Sequence, residues 1–228
     1  MEPPRPPQRR PGAAYAIAKR GFDSTAALVG LLLLAPLLLA IALVVKLDSP
    51  GPVFFRQVRV GRHGRHFRIF KFRTMHVVAA AAAATAAAPP TEVAGATQLT
   101  VAGDARITRS GSWLRRSKLD ELAQLIDVLR GSMSLVGPRP EVPYFVRHYP
   151  ADVRARVLSV RPGITDLASL HYRDENELLA RADDPQREYL EVILPAKLRY
   201  ALDYVDHATF AGDLRILAQT VRALVAAR

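Results

Sequence analysis

Cysteine is absent from this sequence. The chain can therefore have no disulfide bond, no thiol nucleophile and no cysteine metal ligand, and it suits a reducing cytoplasm. Acidic residues are also scarce, with 21 Asp and Glu against 32 Lys and Arg, so the formal net charge is +11. Such a chain is attracted to phosphates and acidic lipid headgroups. The basic residues are dispersed and no nucleic-acid-binding signature accompanies them, so we expect no nucleic-acid partner.

The length of the chain bounds its organisation. A chain of 228 residues can form one domain with a sizeable core once a membrane segment is subtracted. We expect a disordered, proline-rich basic tail over residues 1–18, a membrane segment over residues 19–47 and one domain over residues 48–228. Within that domain, the alanine-rich residues 76–103 are predicted to form a variable low-complexity loop.

An uncharged apolar run from Ser24 to Val45 is long enough to cross a bilayer, which takes about 20 such residues. Basic residues flank both ends, which is typical of ends that lie on the cytoplasmic side. Pro36, in the middle, lacks an amide hydrogen and clashes with the preceding turn, so it can break the helix into a re-entrant hairpin. A kinked single-pass helix is the alternative, because transmembrane helices tolerate proline. The charges and Pro36 alone leave both open.

Two stretches after this segment predict a β-hairpin. The sequences VFFRQVRV and RHFRIFKFRTM mix apolar and basic residues and are separated by the glycine-bracketed turn GRHG. We expect one basic face, on which phosphates or headgroups could rest or which is merely solvated. The histidines, including His63, His66 and His171, show no metal-ligand spacing.

The chain is mostly helical from Leu114 onward, which together with the hairpin predicts an α+β fold. A last helix from about Phe210 to Val225 has an apolar side made by Phe210, Leu214, Leu217, Val221 and Leu224. We expect this side to pack on the domain, and contact with a membrane surface is the alternative.

Two adjacent acids, Asp120 and Glu121, mark a candidate site. Ser117 is a good N-cap, and leucines recur at helical spacing after it, so both acids are predicted to lie in the first turn of a helix. Acids at this position often only cap the helix and interact with its dipole. The arginines around them favour a functional role.

Arg115 lies just upstream of the acids, and Arg139 and Arg161 lie in the downstream turns GPRP and RPGIT. Guanidinium groups bind phosphate oxygens through paired hydrogen bonds, and a helix N-terminus adds amide donors. In such a site a carboxylate kept ionised by positive charge can attack phosphorus, while its neighbour suits Mg²⁺. We therefore predict Asp120 and Glu121 as the catalytic pair, with Glu121 as the metal ligand and the three arginines as phosphate-binding residues.

These segments resemble one family, the monotopic phosphoglycosyl transferases, also called bacterial sugar transferases. The resemblance covers nearly the whole chain from Lys19, and its seven motifs are weak singly but highly specific in this order. They are KR at 19–20 with Asp23, SPGPVFF at 49–55 with Gln57 and Gly61, FKFRTM at 70–75, RIT at 106–108, LDEL at 119–122 with QL at 124–125, MSLVGPRP at 133–140 and RPGIT at 161–165.

The resemblance implies a transferase that initiates exopolysaccharide, O-antigen or glycoconjugate synthesis. Asp120 would attack the sugar-linked phosphate of a UDP-sugar and release UMP, and polyprenyl (undecaprenyl) phosphate would then take the phosphosugar from the aspartate. Glu121 would hold Mg²⁺, and Arg115 and Arg139 match family positions that contact substrate phosphate. The resemblance also implies a re-entrant helix-break-helix at Pro36, amphipathic helices at the membrane interface, and a catalytic domain on the cytoplasmic face of the bacterial inner membrane.

The chain departs from the family at three places, one of which is Ala123, where the family often has proline. Ala35 precedes Pro36 where the family often has serine, so a hydroxyl that could satisfy a freed carbonyl is missing. Asp166 and Leu167 follow Thr165 where many relatives have Gly-Trp, which bears on the substrate more than on the reaction. The sugar, the pathway and whether the protein is a homodimer stay open. A non-catalytic single-pass membrane adaptor that binds acidic lipids is the alternative function.

Overall fold

A computed structural model describes residues 12–77 and 104–226 of the chain. Its first element is one long helix, α1, which extends over Ala13–Asp48. The expected tail over residues 1–18 is therefore too long, because alanine favours helix and the first turns of α1 are held by the domain. Residues 1–11 and most of the expected low-complexity loop, 78–103, lie outside the described residues.

The helix α1 continues through Pro36 without interruption. The expected break of the helix at Pro36 is therefore wrong, because the residues on both sides of Pro36 belong to the same helix. A proline inside a helix removes one hydrogen bond and disturbs one turn, whereas the leucines and alanines on both sides are strong helix formers. Ala35 precedes Pro36, so no serine hydroxyl is present there to bond the carbonyl that Pro36 leaves free. The helical hydrogen bonds on both sides of this turn are kept.

Both ends of α1 pack on the same domain. Near its start, Lys19 Nζ donates a hydrogen bond to Asp213 Oδ2 at 2.8 Å, and Asp23 accepts one from the Ser134 hydroxyl at 2.7 Å. Toward its end, Val45 is buried in an apolar cluster. The helix is thus attached to the domain on both sides of Pro36.

The middle of α1 is apolar and uncovered. Leu32 is 68% exposed and Leu33 is 75% exposed. Among the described residues, α1 is the one helix that is long and apolar enough to cross a membrane. This uncovered stretch indicates association with a membrane.

The predicted hairpin is confirmed, with β1 at Phe54–Val60 and β2 at His66–Phe72 paired antiparallel around a 3-10 turn at Arg62–Gly64. The single basic face is wrong. The basic residues of the hairpin recur at every third position, whereas side chains alternate between faces with a period of two. They therefore point to both sides of the hairpin: Arg56, Arg59, Arg62, Arg65, Arg68 and Lys71.

The rest of the domain consists of short helices and one further strand pair, so the predicted α+β, mostly helical class is confirmed. The elements are α2 Arg109–Arg116, a 3-10 helix Leu119–Gln124, α3 Leu125–Arg130, β3 Ser134–Val136, α4 Pro143–Val146, α5 Ala151–Val157, β4 Gly163–Thr165, α6 Leu167–His171, α7 Glu175–Ala180, α8 Pro185–Glu188, a π-helical turn Tyr189–Ile193, α9 Leu194–His207 and α10 Phe210–Ala226.

The strands β3 and β4 pair in parallel and bring the two arginine-bearing turns into contact. A Cβ added to Gly163 would lie 2.1 Å from the Gly137 nitrogen, so glycine is required for this close approach. The Gly137 amide donates to the Thr165 carbonyl at 3.1 Å. The GPRP and RPGIT turns therefore form one rigid unit.

The last helix, α10, confirms the predicted helix from Phe210 to Val225 almost to the residue. It packs on the domain through Ile216, which is buried beside Val136 and Tyr204. Most of the predicted apolar side stays exposed, because the packed side is rotated from it and includes the buried Asp213, which receives bonds from Lys19 and Tyr204. Polar bonds to α1 and α9 thus fix the rotation of α10.

Candidate active site

Asp120 lies in the 3-10 helix that leads into α3. Lys118, just before it, adopts a left-handed conformation with φ 57°, which is uncommon outside glycine. Ser117 is not the N-cap that we expected, because its hydroxyl donates back to the carbonyls of Trp113 and Leu114 and so ends α2. The chain therefore turns at residues 117–118, and the acids follow this corner directly.

The carboxylate of Asp120 is buried, and the residue is only 4% exposed. Its Oδ2 lies 3.4 Å from the Lys71 Nζ, whereas its Oδ1 has no hydrogen-bond partner within the described part of the chain. A buried carboxylate oxygen without a donor costs free energy, so such an atom usually has a functional reason. Oδ1 is the open atom of this site.

Glu121 is held by two cations. Its carboxylate accepts a bidentate pair of hydrogen bonds from the guanidinium of Arg139, one of them at 3.0 Å, and forms an ion pair with Lys71 at 2.9 Å. Burial alone raises the pKa of Glu121, but the charges of Arg139 and Lys71 outweigh it and hold this pKa well below its usual range. Glu121 in turn raises the pKa of Arg139.

Arg115 reaches the site from α2. Gly111 packs so tightly on the backbone of Thr74 that a Cβ there would lie 2.1 Å from the Thr74 oxygen. One turn later, Arg115 Nε donates to Thr74 Oγ1 at 2.9 Å. Burial lowers the pKa of Arg115, and the charge of Asp120 acts against this effect. Its terminal nitrogens form no hydrogen bond within residues 12–77 and 104–226, so they can bind an anion near Asp120.

Arg139 follows β3 in the GPRP turn, and its backbone is fixed by a buried acid. Its amide donates to Asp166 Oδ2 at 3.2 Å, while Asp166 Oδ1 accepts the Ser169 amide at 2.7 Å and caps α6. Asp166 thus supports the turn that presents Arg139 to Glu121.

Lys71 was missed by the sequence analysis as a site residue. It contacts both acids from β2 and is the only side chain within the described residues that forms ion pairs with both. Its neighbours Phe70 and Phe72 are buried on the other face of the strand, so alternation alone could have separated Lys71 from the hydrophobic core. The expectation of a uniform basic face hid this distinction.

Arg161 does not join the other predicted residues. Its Nε donates to the Gly131 carbonyl at 3.1 Å, just beyond the end of α3. The helical segment from Leu119 to Arg130 separates this point from Asp120 by on the order of 15 Å. The glycine contact brings the two turns together, but the side chains of Arg139 and Arg161 leave them toward opposite ends of that segment.

Two carboxylates thus face the cationic side chains of Lys71, Arg115 and Arg139, and this excess of positive charge suits a diphosphate. Mg²⁺ fits the pair in part. It is usually held by one or two carboxylates with substrate phosphates and water, and Asp120 Oδ1 is open. Both oxygens of Glu121 are paired, so Glu121 can bind a metal only after one of its cations moves. No group of three His, Asp or Glu forms a metal site within the described ranges.

A sequence model described as bacterial sugar transferase matches residues 14–227, which include every residue of this site. The chain belongs to the bacterial sugar transferase family. The match begins at the start of α1 and ends with α10, so it covers all the helices and strands described above.

Three relatives in the bacterial sugar transferase family are similar over most of the chain. The UDP-N-acetylgalactosamine-undecaprenyl-phosphate N-acetylgalactosaminephosphotransferase of Aeromonas hydrophila is 36% identical over 94% of this chain and 45% of that protein. The UDP-glucose:undecaprenyl-phosphate glucose-1-phosphate transferase of Xanthomonas campestris pv. campestris is 40% identical over 90% of this chain and 38% of its own length. The enzyme of the same name from Caulobacter vibrioides is 38% identical over 97% of this chain and 74% of its own.

The chain therefore spans less than half the length of two of these relatives. The names of the relatives agree on undecaprenyl phosphate and differ in the sugar, which is N-acetylgalactosamine in one and glucose in the others.

Proposed function

We propose that this chain moves a sugar 1-phosphate from a UDP-sugar to polyprenyl phosphate, with Asp120 as a covalent nucleophile. The observation that carries the proposal is the open, buried Oδ1 of Asp120 near Lys71 and Arg115, with Arg139 bound to the adjacent Glu121. A carboxylate oxygen that no protein group occupies can attack phosphorus, and the cations suit the diphosphate. The names of the relatives supply the substrate class.

The reaction consists of two displacements. Asp120 Oδ1 forms a bond to the sugar-linked phosphorus while the bond to the UMP oxygen breaks, and UMP leaves with that electron pair. An oxygen of polyprenyl phosphate then attacks the same phosphorus, and the bond to Asp120 breaks. The aspartate is regenerated, and the product is a polyprenyl diphosphosugar.

The other residues act by position and charge. Arg139 is presented by a rigid turn, and Arg115 by a helix fixed to Thr74, so both are preorganised for phosphate oxygens. Lys71 lies closer to Glu121 than to Asp120, so it pairs mainly with Glu121 and leaves Asp120 available as the nucleophile. Mg²⁺ would be held by Glu121 once Lys71 or Arg139 had moved off its carboxylate, and it would neutralise charge on the diphosphate.

The same proposal places α1 in the cytoplasmic membrane as a re-entrant element, with the domain on the cytoplasmic face. A straight helix of this length would extend over about 54 Å, yet both of its ends contact one domain. Because the chain has no cysteine, single cysteines between Ser24 and Val45 can be labelled selectively. We expect labelling from the cytoplasmic side only, and a position labelled only from the opposite side would exclude this topology.

We propose that the product enters the synthesis of an exopolysaccharide, an O-antigen or another glycoconjugate. A homodimer remains a prediction. UDP-glucose and UDP-N-acetylgalactosamine, the donors in the names of the relatives, are the first to test.

The decisive experiment supplies the full chain with each labelled UDP-sugar without the lipid acceptor. We expect a covalent protein adduct that maps to Asp120 by mass spectrometry, with release of UMP. Asp120→Asn removes the anionic nucleophile and should lower UMP release by on the order of 10³-fold or more. The matched control is Asp152→Asn, an exposed acid on α5, which should keep full turnover. Full turnover in Asp120→Asn, or no adduct with any donor, sinks the covalent mechanism.

The same variants test the membrane-adaptor alternative. An adaptor would bind acidic lipids in a salt-dependent manner, and neither Asp120→Asn nor metal removal would affect it. The buried, open carboxylate oxygen of Asp120 serves no purpose in such a protein, and therefore we favour the transferase.

A further inference from the structure

A second cationic site lies at the far end of α3 from Asp120. A partly open cavity of about 440 Å³ is bounded by the hairpin turn, by the residues that follow α3 and by Arg161. No acid lines this cavity. Its ionisable lining residues are all basic: Arg62, His63, Arg65, His66, Arg130 and Arg161.

None of the four arginines of this cavity forms an ion pair within residues 12–77 and 104–226, although the charge of Asp127 acts on Arg130 and that of Asp23 on Arg161. Arg62 uses only its Nε, which donates to the Ser159 carbonyl at 2.9 Å, and the Arg130 guanidinium lies 4.9 Å from the centre of the Phe70 ring. Arg65 is exposed in the turn. Cations are thus gathered here without the carboxylates that balance them at Asp120 and Glu121.

The carbonyl groups at the end of α3 would repel an anion if they were free, but arginines cover them. Arg20 donates to the carbonyls of Val128 and Leu129 at 2.6 and 3.0 Å, and Arg161 Nε donates to that of Gly131. The negative end of the helix is thereby neutralised. Burial lowers the pKa of Arg161, and the charges of Arg20 and Arg62 add to this effect while that of Asp23 acts against it, so a bound anion would relieve the mutual repulsion of the arginines.

We propose that this cavity is a binding site for a phosphate-bearing ligand, separate from the carboxylate site. Several guanidinium groups around one concave surface match the geometry of phosphate oxygens, and the volume is that of a small-ligand pocket. The phosphate can belong to a soluble nucleotide or diphosphate, or to a phospholipid headgroup. Arg20 lies in α1 just before the apolar run, so the cavity is within reach of a headgroup at a membrane surface.

The site does not depend on the reaction proposed for Asp120. A ligand in the cavity would contact neither carboxylate, since Arg161 and the hairpin turn lie beyond the other end of α3. Its test is therefore a binding measurement, which stays informative whether or not the chain transfers a phosphosugar.

The experiment is calorimetric titration of the full chain in detergent micelles at fixed ionic strength. One arm uses inorganic pyrophosphate as the soluble probe. The other uses dihexanoyl phosphatidylglycerol, with dihexanoyl phosphatidylcholine as its neutral reference. The test variant R62Q/R65Q removes two cavity charges, and the control variant R154Q/R181Q removes two exposed charges outside the cavity. Both variants lower the net charge by the same amount, so any nonspecific attraction of anions falls equally in the two proteins.

We expect R62Q/R65Q to weaken binding by about tenfold or more relative to R154Q/R181Q, because charge-assisted hydrogen bonds are lost. Loss in the pyrophosphate arm assigns a soluble ligand, and loss in the phosphatidylglycerol arm assigns a headgroup. The single variant Arg65→Gln, which removes no protein contact, should weaken binding in the same direction and guards against misfolding of the double variant. If the two double variants bind both probes equally, the proposal is overturned.

Discussion

The two ends of the helical segment from Leu119 to Arg130 gather cations in opposite ways. At the first end, the acids Asp120 and Glu121 pair with Lys71 and Arg139, and one carboxylate oxygen stays open. At the other end, the arginines of the cavity form no ion pair among the described residues, and their contacts include backbone carbonyls and an aromatic ring. Ion pairs fix reacting side chains in position, as a catalytic site requires, whereas cations without paired acids are suited to binding an anion.

Backbone strain accompanies both ends. His63 and Lys118 are the only non-glycine residues with positive φ within the described part of the chain. Lys118 precedes the acid pair, and His63 lies in the turn that lines the cavity. Such conformations are costly for ordinary residues and collect at functional sites, so their placement here fits a role for each end.

Glu121→Gln breaks the charge pairing at the first end and should have the largest effect on stability. It leaves Lys71 and Arg139 without their acid, which should cost about 3 kcal/mol at pH 7. Because the folded-state pKa of Glu121 is depressed, its contribution is fully present above about pH 4.5 and is lost as the pH falls through the lower folded-state value. The difference from the wild type should therefore narrow below about pH 4.5.

Arg161→Gln is the matched variant at the other end. It removes a cation that forms no ion pair within the described residues, so its effect on the apparent melting temperature should change less with pH than that of Glu121→Gln. The measurement is thermal unfolding of both variants in the same detergent from pH 7 down to about pH 3, which includes the range in which the Glu121 contribution is lost. Equal pH dependence in the two variants would show that the ends are not balanced differently.

Periodicity predicted the parts of the fold that have a long, regular pattern. The hairpin and the last helix were found because alternation and helical spacing persist over many residues. The pair of β3 and β4 was missed because three-residue strands carry no period. The rotation of α10 was also beyond the sequence, since it depends on Asp213, a buried acid whose partners lie in α1 and α9.

The candidate site was predicted where residues meet through local structure. Asp120, Glu121 and Arg115 lie within one short stretch, and Arg139 comes from a motif with a rigid turn, so their meeting could be anticipated. Arg161 lies apart from Asp120 because similar turns present their side chains in different directions once they are packed together, so its phosphate-binding role stays a prediction. Lys71 was missed because the basic residues were assigned to one face, whereas their spacing of three places them alternately on both faces of the hairpin.

The smallest expected effect comes from a change of Asp166, which bonds the backbone of Arg139 near the Asp120 end of the segment. Asp166→Ala removes the cap of α6 and the acceptor of the Arg139 amide, and should cost about 1 kcal/mol. The matched control is Asp184→Ala, which removes the cap of α8 and no contact to Arg139. Both variants should lower the melting temperature similarly, but only Asp166→Ala should raise KM for the UDP-sugar, by several-fold, because the turn that presents Arg139 loosens. An equal KM in the two variants would limit Asp166 to capping and leave the orientation of Arg139 to its bond with Glu121.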